Sequence, residues 1–154
     1  MGIDPPRGIR QNGTWSDLGH REKRSMRVIC AIVASLVLAG TTFADTINVP
    51  GDYPTIQGAI NASFDGDTIQ IDVGTYNEFN LNPGGKAITI QGTLNGDGSL
   101  ATTIDAQQGG RVFTIDSDET ASTTIKDLVI MGGQAKIGGG IYCSDSSLTI
   151  SGCT

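Results

Sequence analysis

The side chains able to do chemistry in residues 45 to 154 are almost all carboxylates. The chain carries 16 Asp and Glu against 10 Lys and Arg, for a net charge of −6. Asp4, Asp17, Glu22 and six of the basic residues fall before residue 45, which leaves 13 acidic and four basic side chains beyond it. The only His is His20 and the first of 3 Cys is Cys30, so this segment holds no imidazole. A Ser-His-Asp triad, a Cys-His couple and a His-ligated zinc or iron site are thereby excluded from it. The acidic balance also lacks the basic footprint that nucleic-acid binding requires.

Within that inventory, Asp116, Asp118 and Glu119 in the run DSDET form the best local oxygen cluster for calcium. They lack the loop spacing and Gly of an EF-hand, and a solvated turn between coils is the preferred reading, with calcium binding the weak alternative. Asp65 and Asp67 flank Gly66 and read as turn residues, although two carboxylates brought together from separate strands could still take the spacing that glycosidases use. Arg111 is the one arginine beyond residue 44. Gly138-Gly139-Gly140 is followed by Ile141-Tyr142-Cys143 rather than by the Lys and Ser or Thr of a phosphate loop, and reads as a structural turn. Asn61-Ala62-Ser63 matches a glycosylation acceptor pattern but lies in an expected helix. Cys143 and Cys153 are an even pair, so a disulfide between them is permitted in an oxidising compartment; two small buried apolar side chains are the alternative.

The compartment is read from the start of the chain. Val28 to Gly40, VICAIVASLVLAG, carries no charge, follows the basic run HREKRSMR and precedes Thr41-Thr42-Phe43-Ala44. That is the layout of a secretory signal peptide, shorter than the roughly 20 apolar residues that span a bilayer. Small side chains at Thr42 and Ala44 place cleavage after Ala44, and Thr41 stands where a lipoprotein would need Cys. Residues 26–44 are thus expected to be the signal, and 1–25 an upstream extension, with translation starting at Met26. The protein is expected to be secreted or displayed at the cell surface, with no transmembrane helix after cleavage.

The elements that must position these side chains are short strands. AITIQG (87 to 92), DLVIMG (127 to 132) and SLTISG (147 to 152) fit one six-residue template, and TIQIDV, TTID, RVFTID, TTIK and GIYC surround them. Each is rich in β-branched residues and bounded by Gly, Asp, Asn or Ser. A period of roughly 20 residues with two or three short strands is the pattern of a β-solenoid; an antiparallel sandwich has no reason to repeat the template. Alternation places Ile88 and Ile90 inside and Thr89 outside, with Ile90, Ile130 and Ile150 as equivalent interior positions. Gly92, Gly132 and Gly152 suit the corners. Ahead of the coils, expected over about 68–154, Ile56, Ala59, Ile60 and Ala62 recur at helical spacing. A helix over about 54–64 is expected to cover the upper end with Ile56, Ile60 and Phe64.

The run VPGDYPTIQGAINASFDGDTIQIDVGTYNE (49 to 78), with GKAITIQG, ATTIDAQQGGRVFTI, TTIKDLVIMGG and GGGIYCSDSSLTISGCT after it, resembles the amino-terminal part of secreted bacterial right-handed parallel β-helix proteins of the pectin lyase-like superfamily. Gly138-Gly139-Gly140-Ile141 also resembles the Gly-Gly-Ala-Ile element of polymorphic outer-membrane proteins, which are surface adhesins. The resemblance implies an all-β right-handed parallel β-helix with an N-terminal capping helix. The roughly four coils that fit before Thr154 imply the amino-terminal part of a longer solenoid, open at its lower edge to self-association.

For function, the resemblance implies two directions. Pectate lyases of the superfamily use calcium held by acidic side chains and an Arg as base, which makes Arg111 the weak catalytic candidate and Asp116, Asp118 and Glu119 the calcium candidates. Polygalacturonases use paired Asp with a nearby His, and neither an adjacent Asp pair nor a His occurs here. The preferred expectation is a structural or adhesive protein whose stacked polar faces meet polysaccharide or cell-surface glycan, without a cofactor and without a catalytic site in this segment. The alternative is the amino-terminal fragment of a polysaccharide-cleaving, pectate lyase-like enzyme.

Overall fold

The computed structural model describes residues 43–154, and the expectations for residues 1–25 and for the signal through Thr42 lie outside them. Ten strands and one helix follow one another as β1 (Thr46–Val49), α1 (Ile56–Ala62), β2 (Thr68–Ile71), β3 (Gly74–Tyr76), β4 (Thr89–Gln91), β5 (Thr102–Asp105), β6 (Phe113–Ile115), β7 (Thr124–Lys126), β8 (Val129–Met131), β9 (Ile141–Cys143) and β10 (Thr149–Ser151). Every pairing between these strands is parallel and skips elements: one sheet runs β1-β2-β4-β7-β10, a second β3-β5-β8, and a third β6-β9, extended by a bridge from Leu81 to Phe113. The chain therefore winds as a right-handed parallel β-helix of about 4 turns.

Alternation builds the interior. The strands of the long sheet read polar, apolar, polar, and the middle residues stack in one ladder: Ile47 on Ile69, Ile69 on Ile90, Ile90 on Ile125, Ile125 on Ile150. Ile69, Ile90 and Ile125 are fully buried. Ile104, Phe113 and Ile115 close the core from the other two sheets, and Leu128 from the corner between β7 and β8. The expected equivalence of Ile90, Ile130 and Ile150 holds for the first and last only. Ile130 stacks on Ile104 in the second sheet, and the residue level with Ile90 is Ile125 of the TTIK segment. Successive strands of one coil share a composition, so DLVIMG matches the template while occupying the neighbouring face.

The first coil also begins earlier than the expected residue 68, because β1 is the first strand of the long sheet. The helix stands where later coils place their second and third strands. Thr55 caps it by accepting the Gly58 amide at 3.1 Å. Ile56, Ala59 and Ile60 turn inward, but Phe64 lies past the helix end and is 75% exposed, so it covers nothing. The second coil clamps the helix at both ends. The Glu78 carboxylate accepts the amides of Ile56 (2.7 Å) and Gln57 (3.1 Å), and the Lys86 ammonium donates to the carbonyls of Ile60 (2.6 Å) and Asn61 (3.0 Å). Both charges match the unpaired groups and the dipole at their end of the helix.

Corners demand small or specially twisted residues. After the long sheet, Gly92, Asp127 and Gly152 occupy successive levels, and Asp127 adopts φ +58, a left-handed conformation that Asp tolerates better than most side chains. Gly92 answers a close approach: a Cβ there would collide with the Asp127 carbonyl and lie 2.8 Å from Leu128 Cδ2. Gly92→Ala should therefore push two coils apart, lowering Tm by on the order of 5–15 °C in a thermal melt. Between β4 and β5 the chain leaves the coil in a short hairpin, with Leu94 bridging Leu100 antiparallel and Asn95, Asp97 and Ser99 bonded to one another at its tip.

Candidate functional site

The outward face of the five-stranded sheet is the most regular polar surface of the molecule. Parallel register places Thr46, Thr68, Thr89, Thr124 and Thr149 in one column, and Asn48, Gln70, Gln91, Lys126 and Ser151 in a second, two residues along. Adjacent levels are about 4.8 Å apart, as hydrogen-bonded strands must be. Thr serves twice here: its branched carbon suits the pleated backbone, and its hydroxyl faces out, able both to donate and to accept. Thr149 donates to the Ala121 carbonyl at 3.0 Å, and Gln70 donates to Thr93 Oγ1 at 3.1 Å. The face so made is flat, hydroxyl- and amide-bearing, and carries one charge, Lys126.

The residues singled out in the sequence are dispersed. Arg111 donates from Nε to the Ile137 carbonyl at 3.2 Å, and its guanidinium carbon lies 4.3 Å from the centre of the Tyr142 ring. Backbone and ring thus hold the guanidinium on the third sheet. The three expected calcium ligands do not converge. Asp116 accepts from the Asn82 side-chain Nδ2 at 3.0 Å, and Asp118 sits in a left-handed turn at φ +60. Glu119 is 3% exposed, and its two oxygens accept the Gly85 amide (3.0 Å), the Ser117 amide (2.8 Å) and the Ser146 hydroxyl (2.9 Å). Burial pushes the Glu119 carboxyl up, but the hydrogen bonds from Gly85, Ser117 and Ser146 outweigh it and hold the group below the ordinary glutamate value. Glu119 is a staple across three successive coils. Among the described residues no three His, Cys, Asp or Glu side chains are arranged to hold a metal ion.

Asp65 and Asp67 are turn residues, as expected. Asp65 accepts the Ala87 amide at 2.9 Å, and Asp67 accepts those of Phe64 (2.8 Å) and Asp45 (2.9 Å), which lower its pKa. Gly139 and Gly140 give their carbonyls to the Val112 and Phe113 amides, a turn between strands. Cys143 and Cys153 are free thiols. Cys143 is exposed at the end of β9, whereas Cys153 packs against the core, where burial, and then the Asp127 carboxylate, push its thiol up. Among the described residues no helix is long and apolar enough to cross a membrane.

The threonine column and the Glu119 staple are absent from a motif-based reading. Thr-Ile followed by a polar residue is written eight times beyond residue 44. The copies at 46, 68, 89, 124 and 149 form the column, while those at 55, 103 and 114 fall at the start of the helix and in the other two sheets, so the pattern marks the column only in part. The staple had no such signal, because its partners Gly85 and Ser146 come from other coils. No protein-family model, curated protein or solved structure matches the chain.

Proposed function

We propose that the protein is a secreted or cell-surface parallel β-helix of the pectin lyase-like type, with a structural or adhesive role, that contacts polysaccharide or surface glycan through the Thr and amide columns of its long sheet. The observation that carries this reading is the five-level register of those columns. A polymer with regularly repeated hydroxyl groups, lying along the solenoid axis, would meet a Thr hydroxyl at each level, with Asn48, Gln70 and Gln91 amides beside it at the first three. Hydrogen bonds of this exposed kind are weak singly and add along a repeated ligand.

The lyase alternative finds less support in the same side chains. A base must present its guanidinium to substrate, whereas Arg111 is bonded to Ile137 and stacked on Tyr142. Incubation of the protein with polygalacturonate and calcium, followed by absorbance of unsaturated products, is expected to show no turnover. Turnover abolished by Arg111→Lys would make Arg111 the base.

Binding is tested with the hydroxyls removed and the shape kept. Thr68→Val, Thr89→Val and Thr124→Val together should preserve the strands while weakening retention on insoluble polysaccharides (cellulose, chitin, calcium-crosslinked pectate gel) by about tenfold. Retention equal to that of the unaltered chain, with unchanged circular dichroism, would remove the sheet face from consideration.

A further inference from the structure

The upper edge of the long sheet is closed by two carboxylates and by the backbone turn that follows β1. Among the described residues β1 pairs with β2 alone. The Thr68 amide donates to the Asp45 carbonyl and the Asp72 amide to the Val49 carbonyl, so odd-numbered residues of β1 turn their backbone toward β2. Thr46 and Asn48 turn theirs outward, where an added strand would bond. Neither amide is open. Thr46 N–H donates to Asp45 Oδ1 at 2.8 Å and Asn48 N–H to Asp52 Oδ2 at 2.7 Å, while the Asn48 carbonyl accepts the amides of Asp52 (2.7 Å) and Tyr53 (3.3 Å). The Asn48 side chain adds a second bond to Asp52 at 3.0 Å.

We propose that Asp45 and Asp52 guard an interface for a second copy of this chain: they occupy the outward amides of β1 and prevent antiparallel β1-to-β1 pairing about a two-fold axis. A two-fold contact needs only this one edge from each molecule. The edge lines a cleft of about 580 Å³ with Tyr53 and Phe64, respectively 37% and 75% exposed, which pairing would cover. The same cleft holds Asp45, Asp52 and Asp67, so two unaltered copies meet with six carboxylates between them. Lys86 acts on Asp67 within each copy, and the Asn48 amide and side chain keep the Asp52 carboxyl below its usual range, hence anionic at neutral pH. The guards therefore act twice, as acceptors that fill the edge and as charges that repel it.

Sedimentation velocity on the full chain tests this. Asp45→Ala with Asp52→Ala should raise the dimer fraction about tenfold over the unaltered chain at equal concentration, with the strand signal in circular dichroism unchanged. Adding Thr46→Pro, which removes one outward amide at an edge position that accepts proline, should return it to monomer. A double variant that keeps its strand signal and stays as monomeric as the unaltered chain overturns the proposal. So does association that persists with Pro at 46, because it then uses another surface. If the double variant loses its strand signal, each single variant frees one amide and should still shift the chain toward dimer; folded monomers in both cases overturn the proposal.

Discussion

Ile90→Asp will leave the chain without its β-type circular dichroism signal and without a cooperative melt. Ile90 is fully buried in the middle of the ladder, between Ile69 above and Ile125 below. Neighbouring interior positions are apolar, so a carboxylate there has no partner and is forced to lose its hydration. The penalty is several kcal/mol, to which the lost apolar burial adds about 2–5 kcal/mol. Total stabilities of small domains are about 5–15 kcal/mol, and the substitution consumes most or all of that. Ile150→Asp in the same column is the control. Ile150 is 48% exposed, so its carboxylate stays hydrated and the melt should move only slightly. Equal loss of signal in both variants would show that the ladder is not the interior of this fold.

Glu119→Ala should be the most damaging substitution of a polar side chain. It strips the acceptor from the Gly85 amide in the second coil, the Ser117 amide in the third and the Ser146 hydroxyl in the fourth. Gly85 is exposed and Ser117 and Ser146 are half-buried, so water replaces part of what is lost; at about 0.5–1.5 kcal/mol per bond the total is on the order of 3 kcal/mol in chemical denaturation. Glu119→Gln keeps one acceptor oxygen and should recover part of this. The pH dependence separates a charged staple from a merely well-packed side chain. The folded-state pKa of Glu119 lies below its ordinary value, so the carboxylate stabilises the fold fully above the unfolded value of about 4.3. That contribution falls away as the pH drops through the folded value. The stability gap between the unaltered protein and Glu119→Gln should therefore be widest near neutrality and narrow below about pH 4. A gap constant with pH would mean that the charge contributes nothing.

The winding of the chain was legible because alternation and Gly-bounded strands are local properties. Its phase was not. Whether a hexapeptide such as DLVIMG lies on the first or second face depends on how many residues the preceding coil contains, and the hairpin after β4 lengthens one coil without marking its neighbours. The first strand was overlooked for a related reason: α1 separates Thr46–Val49 from its partner β2, so that β1 has no repeat beside it in the sequence. Chemistry was less legible still. DSDET looks like a ligand loop when read along the chain, but the donors that occupy Glu119 arrive along the axis, from residues 34 and 27 positions away. Clusters of carboxylates in a solenoid can be metal sites or stitches between coils, and only the axial neighbours tell which.

The hairpin between β4 and β5 has a consequence for how such a protein changes over time. Its tip glycines, Gly96 and Gly98, have nothing within 4 Å of where a side chain would begin. Its internal bonds are made among Asn95, Asp97 and Ser99. Residues added there would leave the pairing of β4 with β7 and of β5 with β8 untouched, and doubling the length of a flexible loop costs only about 0.6 kcal/mol. The excursion is a port of insertion: a place where the gene can acquire new surface, or an engineer can graft a foreign peptide, while the stacked frame behind it keeps its register.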